Sequence, residues 1–174
     1  MTIIVYSDKT LYADSLGIEN VGHTDIFSAK LKIFRSPCNR FAYGVAGLLL
    51  SGNMQRKLHD LLLANLTMYY TRGKGALIPN KTYDDHKSIF GETIIITKTD
   101  LWVITSASAM SMHTDLNNYV GMGSGVEYFT AAKLLGKTTR QALQLTIDNC
   151  CSCGGPISAI PMKSLKPFKM VVAK

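Results

Sequence analysis

Two segments of the sequence have residue types and spacing that could bind a metal ion or a phosphate. Cys150 and Cys153 are two residues apart, as in half of a zinc site, but no second Cys or His pair completes the four ligands. Ordinary thiols are therefore the favoured interpretation. The glycine-rich segment 121–125 follows a predicted strand and opens a predicted helix, yet it lacks the Lys of a P-loop and the full dinucleotide-binding spacing. We expect these glycines to let the backbone pass close to another group.

The bulk composition indicates one folded domain spanning residues 1–174. A chain of this length buries about 70% of the surface that it exposes when unfolded. Hydrophobic residues make up 47% of the chain and charged residues 18%, which argues against disorder. The low charged fraction is also compatible with burial between subunits.

Neither the charge pattern nor the apolar runs favour a nucleic-acid or membrane partner. The net charge of +7 comes with 19 Lys and Arg spread along the chain, without the dense basic stripe of specific nucleic-acid binders. No run approaches the roughly 18 to 20 apolar residues that cross a bilayer. Residues 1–11 are typical of a strand and not of a signal peptide, and four bunched cysteines suit a reducing compartment. We expect a cytoplasmic protein.

Alternation of apolar and polar residues predicts most of the strands. The expected strands are 2–6 and 11–14 as a hairpin around the turn 7–10, 29–34, 41–46, 92–98 and 101–106 as a second hairpin with Trp102 packed in it, 119–122, 157–162 and 168–172. In the strand 29–34, Lys30 and Lys32 fall on one face, while Leu31 and Ile33 fall on the other.

Helical spacing and capping signals predict three helices. Apolar residues from Met54 to Leu66 repeat at helical spacing, with Ser51 available as a cap and an end near Tyr70. Capping boxes begin two later helices, Ser124 with Glu127 and Thr138 with Gln141. Residues 71–88 are predicted to form a loop. The order of strands, helix, strands, two helices and strands favours an α+β fold over a doubly wound sheet.

Four patches occur in the order found in a known family. They are Thr2-Ile3-Ile4-Val5, then Leu11-Tyr12-Ala13-Asp14-Ser15, then Ala29-Lys30-Leu31-Lys32-Ile33 followed by Gly44-Val45-Ala46-Gly47, and finally Gly123-Ser124-Gly125 with the later Gly154-Gly155. Spanning residues 2–155, they resemble the beta subunits of the proteasome and the simpler bacterial proteasome-like peptidase that works with an unfolding ATPase. The small size is closer to the bacterial or phage-encoded branch.

The resemblance implies a fold, an activity and an assembly. The fold would be a four-layer αββα sandwich of the N-terminal-nucleophile hydrolase type. The activity would be hydrolysis of peptide bonds in peptide or protein substrates through an acyl-enzyme ester, with no metal or organic cofactor. The assembly would be a homo-oligomeric ring that encloses the active sites, with an unfolding ATPase as a possible partner.

The resemblance also assigns roles to five residues. Thr2 would be the nucleophile, and its own α-amine, with a reference pKa of about 7.7 to 8.0, would be the base. Lys32 would place a positive charge beside Thr2, and Asp14 would orient that lysine. The N–H of Gly47 would face the carbonyl oxygen of the scissile bond. Ser124 would bond near the amine and relay protons.

Each of these residues also has a simpler explanation. Thr2 suits the start of a strand, Lys32 suits an exposed strand face, and Asp14 suits turn chemistry. Gly47 could simply end a strand, and the capping box with Glu127 alone would account for Ser124.

Two features depart from the family pattern. The family places an aspartate three residues before a serine and a Gly-Gly pair, where this sequence has Cys150 and Cys153; only a two-residue slip would bring in Asp148. In addition, Met1 precedes Thr2, so a free threonine amine requires removal of Met1. The alternative function is a catalytically silent structural or assembly protein of the same fold, for example a phage virion or ring component.

Overall fold

The computed structural model describes residues 2–21, 24–47, 52–72, 91–105, 108–113 and 115–168. These residues form eleven strands, three α-helices and one 3₁₀ turn at Met162–Ser164. The strands are β1 Ile4–Ser7, β2 Thr10–Ala13, β3 Leu16–Val21, β4 Thr24–Ala29, β5 Ile33–Arg35, β6 Phe41–Ala46, β7 Glu92–Thr97, β8 Leu101–Thr105, β9 Ser108–His113, β10 Val120–Met122 and β11 Ser158–Pro161; the helices are α1 Gly52–Arg72, α2 Val126–Leu134 and α3 Thr139–Asn149. The predicted α+β class is confirmed.

The first sheet contains the beginning of the chain. Its order is β10-β1-β2-β11, and every neighbouring pair is antiparallel. Strands β1 and β2 are joined by Asp8 and Lys9, whose φ angles are 50° and 56°. A two-residue hairpin turn with positive φ at both positions matches the twist of the strands it joins. The first predicted hairpin is therefore confirmed.

The second sheet is larger and its order follows the chain. It runs β5-β6-β7-β8-β9, again with antiparallel neighbours. The predicted hairpin of β7 and β8 is present, and Trp102 is fully buried in it. Strands β3 and β4 form a separate two-stranded sheet.

The two larger sheets pack face to face. Ile4 and Tyr6 from β1 lie in one apolar cluster with Ile33, Ile94 and other residues of the second sheet. At Gly44 a Cβ would lie 2.7 Å from the Ile4 Cγ2 atom, so β6 passes too close to β1 for any side chain there. The interface between the sheets forms the centre of the core.

Helices cover the outer face of each sheet. Leu58, Leu62 and Leu66 of α1 share a cluster with Tyr43 and Trp102 of the second sheet. Ile3 and Val5 alternate with Ile4 and Tyr6, so they point to the opposite face of the first sheet. There they meet α2 and α3 in a third cluster that contains Phe129 and Leu143.

Several predicted elements need correction or lie outside the described residues. The connection between the predicted strands 11–14 and 29–34 contains the pair β3 and β4, and the polar segment before β10 contains β9. Turn-forming and small polar residues hid these strands from a search for alternation. Three predictions fall wholly or mostly outside the described residues: the cap Ser51, the loop 71–88 and the strand 168–172.

None of the helices in the described part of the chain combines the length and apolar content that a membrane crossing requires.

Candidate active site

The centre of the candidate site is the carboxylate of Asp14, which is 1% exposed. Its Oδ1 atom accepts hydrogen bonds from the Thr2 hydroxyl at 2.7 Å, the Ile3 N–H at 3.0 Å and the Lys32 ammonium at 2.7 Å. Its Oδ2 atom accepts one from the Gly154 N–H at 3.0 Å. A buried charge is tolerated when it is paired and hydrogen-bonded in this way.

The hairpin register brings Thr2 to this carboxylate. Ile4 pairs with Ala13, and the Asp14 N–H donates to the Ile3 carbonyl at 3.3 Å. Thr2 therefore lies one residue beyond the paired region and beside Asp14. The Thr2 residue is 4% exposed.

Lys32 reaches the site because the predicted strand 29–34 is interrupted. Strand β4 ends at Ala29 and β5 begins at Ile33, so residues 30–32 are not part of a strand. The expectation that Lys30 and Lys32 lie on one strand face, with Leu31 and Ile33 on the other, is therefore wrong. Lys32 is 7% exposed and its ammonium lies 2.7 Å from Asp14, whereas Leu31 is 63% exposed. The ion pair with Asp14 accounts for the burial of Lys32, which an exposed strand lysine would not show.

A glycine-rich turn holds the backbone of Thr2. The Gly125 N–H donates to the Thr2 carbonyl oxygen at 3.3 Å. Gly123 has a φ of +92°, and a Cβ at this position would lie 2.3 Å from the same oxygen. The prediction that these glycines allow a close backbone approach is confirmed, and the group approached is Thr2.

Ser124 lies between these two glycines and does not cap a helix. The N-cap of α2 is Gly125, with no side-chain capping bond, so the predicted capping box with Glu127 is wrong. The Ser124 hydroxyl instead lies 2.9 Å from the hydroxyl of Ser152. The capping box of α3, Thr138 with Gln141, is present.

Ser152 is a site residue that the sequence did not reveal. It is 3% exposed, and its hydroxyl also lies 3.2 Å from the Cys150 sulfur. Its only sequence signal is its position two residues before the Gly154-Gly155 pair.

The cysteines, and not Asp148, occupy the buried turn after α3. Asp148 is exposed and accepts a hydrogen bond from Gln144 at 2.8 Å. Cys150 and Cys153 are 6% and 4% exposed. Burial raises the pKa of Cys153 to about 12, with hydrogen bonding to Cys150 and the charge of Asp14 acting in the same direction. The Cys153 thiol therefore stays neutral at physiological pH.

Gly47 lies at the end of β6, on the side of the second sheet that adjoins Lys32. The Val45 N–H donates to the Lys32 carbonyl oxygen at 3.2 Å, two residues before Gly47. Gly47 has a φ of +85°, and a Cβ built there would meet no atom of the described residues within 4 Å. Among the described residues, therefore, nothing fills the space beside this backbone.

The geometry combines a hydroxyl, a carboxylate and an ammonium in a nearly dry environment. Thr2 and Lys32 both contact the Oδ1 atom of Asp14, and Ser124 belongs to the turn that binds the Thr2 backbone. In the described part of the chain, Gly47 is linked to this group only through the bond from the nearby Val45 N–H to the Lys32 carbonyl oxygen. Within the described residues, no group of three or more His, Cys, Asp or Glu could hold a metal ion.

Comparison with solved structures defines the class of fold. No family model matches the sequence, and no curated protein sequence matches it. The structure, however, shares its fold with solved proteasome-like proteins, which confirms the expected resemblance at the level of the fold.

Individual solved structures cover almost the whole chain. Eukaryotic HslV from Trypanosoma brucei aligns with a TM-score of 0.65 and 15% identity, over 91% of this chain and 97% of that chain. Thiobacillus denitrificans BPH aligns with a TM-score of 0.57 and 12% identity, over 96% and 99%. The structure of BPH in complex with epoxomicin aligns with a TM-score of 0.55 and 12% identity, over 95% of this chain and 99% of that chain. At these identities the likeness concerns the fold.

The buried ion pair leads to a prediction about stability. Asp14→Asn removes the negative charge beside the buried Lys32, so we expect a loss of about 3 to 5 kcal/mol in the free energy of unfolding. Lys32→Met should cost less, because the carboxylate keeps its bonds from Thr2, Ile3 and Gly154. Urea denaturation measures both, with the exposed Asp148→Asn as the matched control, expected within about 0.5 kcal/mol of wild type. Equal stability of Asp14→Asn and this control would contradict the account.

Proposed function

We propose that the protein is a threonine-type peptidase whose nucleophile is the Thr2 hydroxyl once Met1 has been removed. The observation that carries the proposal is the contact of Thr2 Oγ1 with Asp14, which in turn binds the Lys32 ammonium. A threonine at the start of a strand needs no such partners to fulfil a structural role. Its burial beside an ion pair, in a fold shared with HslV and BPH, supports the chemical role.

The proposed reaction begins with proton transfer within one residue. The free α-amine of Thr2 takes the hydroxyl proton as the oxygen attacks the carbonyl carbon of a peptide bond. An Oγ–C bond forms, the C–N bond of the substrate breaks, and the leaving amine receives the proton. Water then hydrolyses the ester, releasing the acid and restoring Thr2.

Lys32 and Asp14 provide the electrostatics of this step. The Lys32 charge disfavours protonation of a neighbouring amine, which keeps the amine available as a base. The same charge favours developing negative charge on the Thr2 oxygen. Asp14 balances the lysine and fixes its position through a 2.7 Å bond. Removing either residue would therefore affect both the base and the nucleophile.

Gly47 is the proposed donor to the carbonyl oxygen of the substrate. No described residue lies within 4 Å of a Cβ built on Gly47, which supports access for a peptide, and a backbone N–H there could stabilise an oxyanion. Donors of this kind contribute roughly 3 to 4 kcal/mol to the transition state. Ser124 is the proposed proton relay near the amine.

The packing of sheets and helices supports a finer assignment of the fold. The three apolar clusters lie between α1 and the second sheet, between the two sheets, and between the first sheet and α2 with α3. This order corresponds to the proposed four-layer αββα sandwich. Such a sandwich would place Thr2 at an end of the inner layers.

Peptide hydrolysis tests the proposed function. Protein that begins at Thr2 should hydrolyse fluorogenic peptides, and Thr2→Ala should lower the rate by more than about 10³-fold. Thr10→Ala, a matched change in the neighbouring strand, should keep the wild-type rate. Epoxomicin, which BPH binds, serves as the probe, and intact mass reports its adduct. Activity that survives Thr2→Ala, or inactive protein despite a free Thr2 amine, would contradict the proposal and favour a silent structural role.

We further propose that the subunits assemble into a ring. Three large apolar side chains in and just after α2 are exposed: Tyr128 at 46%, Leu134 at 81% and Leu135 at 78%. Burial of such residues against another subunit would remove them from water. Native mass spectrometry should show an assembly whose mass is a whole-number multiple of the subunit mass. The double variant with Leu134→Lys and Leu135→Lys should contain fewer subunits per assembly. A monomer at all concentrations would contradict assembly.

A further inference from the structure

Two buried thiols lie in the turn that follows α3. Cys150 and Cys153 are 6% and 4% exposed, and both belong to the apolar cluster that contains Ile3 and Val5. The Cys153 N–H donates to the Cys150 carbonyl oxygen at 2.9 Å, which closes the turn 150–153. The end Cα atoms of such a turn lie less than about 7 Å apart, and a disulfide spans Cα atoms that are roughly 4.4 to 6.8 Å apart. The backbone therefore holds the two cysteines within reach of a disulfide.

The side chains of the pair also meet. The Cys153 thiol donates a hydrogen bond to the Cys150 sulfur, and the Ser152 hydroxyl lies 3.2 Å from the same sulfur. Burial raises the pKa of Cys150, but the hydrogen bonds from Ser152 and Cys153 outweigh it and leave that pKa below its ordinary value. Because the thiolate is the form that attacks a disulfide, Cys150 is the nucleophile of the pair.

Oxidation of this pair proceeds by exchange with a small-molecule disulfide. The Cys150 thiolate attacks one sulfur of that disulfide, its S–S bond breaks, and the thiolate that leaves takes up the proton that Cys150 lost. Cys153 then attacks the Cys150 sulfur of the mixed disulfide and gives its own proton to the second leaving thiolate. The two cysteines are oxidised to one disulfide, and the small disulfide is reduced to two thiols.

The first step makes the second one easier. Burial raises the pKa of Cys153, and the hydrogen bond to Cys150, the charge of Asp14 and the charge of Cys150 raise it further. A Cys150 sulfur in a mixed disulfide carries no charge and attracts the Cys153 proton less, so both contributions of Cys150 fall. Cys150 caps the end of α3 beside the exposed Cys151, which is the side from which a small disulfide approaches.

Two groups next to the Cys153 sulfur also bind the candidate site. The sulfur lies against Gly125, where a Cβ would be 2.7 Å from it, and the Gly125 N–H donates to the Thr2 carbonyl oxygen. The following residue, Gly154, donates its N–H to the Asp14 carboxylate at 3.0 Å. A disulfide brings its two sulfurs to about 2.05 Å, well inside the distance of a hydrogen bond between them. Its formation draws the Cys153 sulfur toward its partner and away from Gly125.

We propose that Cys150 and Cys153 are a redox modification site, which closes to a reversible disulfide and thereby loosens the hydrogen bonds that hold Thr2 and Asp14. The inference goes beyond the proposed peptidase function and does not depend on it. It concerns the two positions at which the sequence departs from the family pattern. Thiols there supply a reaction that an aspartate and a serine lack.

The experiment uses glutathione disulfide as the probe and identifies the product by mass. In Cys151→Ala, which changes the exposed neighbour, the free thiols are alkylated after treatment and the tryptic peptide 141–163 is measured. We expect this peptide to lack two hydrogen atoms and to carry no alkyl group, and dithiothreitol should restore both alkylation sites. Adding Cys150→Ser or Cys153→Ser to this variant should prevent the loss.

Amide hydrogen exchange measures the effect on the candidate site. Peptides that contain Gly125 and Gly154 should exchange about tenfold faster in the disulfide form than in the dithiol form, because their bonds to Thr2 and Asp14 open more often. Peptides from the hairpin of β7 and β8 should exchange alike in both forms. Both measurements use the full chain and require no peptidase activity.

The outcomes decide the inference separately from the proposed function. A peptide 141–163 that keeps both thiols, or that stops at a mixed disulfide, would overturn the modification site, whether or not the serine variants fold. A disulfide with equal or slower exchange at Gly125 and Gly154 would overturn its link to the candidate site. Absence of peptide hydrolysis, in contrast, would contradict the proposed function and leave the disulfide result as it stands.

Discussion

The ion pair between Asp14 and Lys32 is the interaction on which the site depends. A charge removed from water needs a partner and further hydrogen bonds, and the Asp14 carboxylate receives these from four donors. The donors come from the start of the chain, the segment before β5 and the turn before β11. One carboxylate thereby ties together parts of the chain that are 12, 18 and 140 residues away from it. A core of apolar residues could not fix these groups with the same directional precision.

The surrounding sheets explain how such a cluster is kept dry. Ile4 and Tyr6 face the second sheet, and Ile3 and Val5 face the helices, so the strand that follows Thr2 is buried on both sides. Thr2 therefore lies two residues before a strand that is packed on both faces. Its carbonyl is bound by the turn at Gly125, which limits its remaining freedom. Sites supported in this way are preorganised for chemistry.

The sequence predicted local features well and long-range ones poorly. The hairpins β1 with β2 and β7 with β8 follow from period-two alternation and from turn residues adjacent to the strands. The burial of Lys32 could not be predicted in this way, because alternation compares neighbours and its partner Asp14 is 18 residues away. Tertiary contacts likewise decide whether the Ser124 hydroxyl caps a helix or bonds to Ser152. The strands β3, β4 and β9 contain too many turn-forming or small polar residues to give an alternating signal.

The central claim, that the Thr2 hydroxyl attacks the substrate, is tested most directly by locating the acyl group during turnover. Protein that begins at Thr2 is mixed with a peptide substrate, quenched in acid and digested, and mass spectrometry identifies the modified fragment. The account predicts an acyl group on the fragment whose first residue is Thr2. An acyl group on a fragment that contains Cys150, Cys151 or Ser124, with Thr2 unmodified, would contradict it.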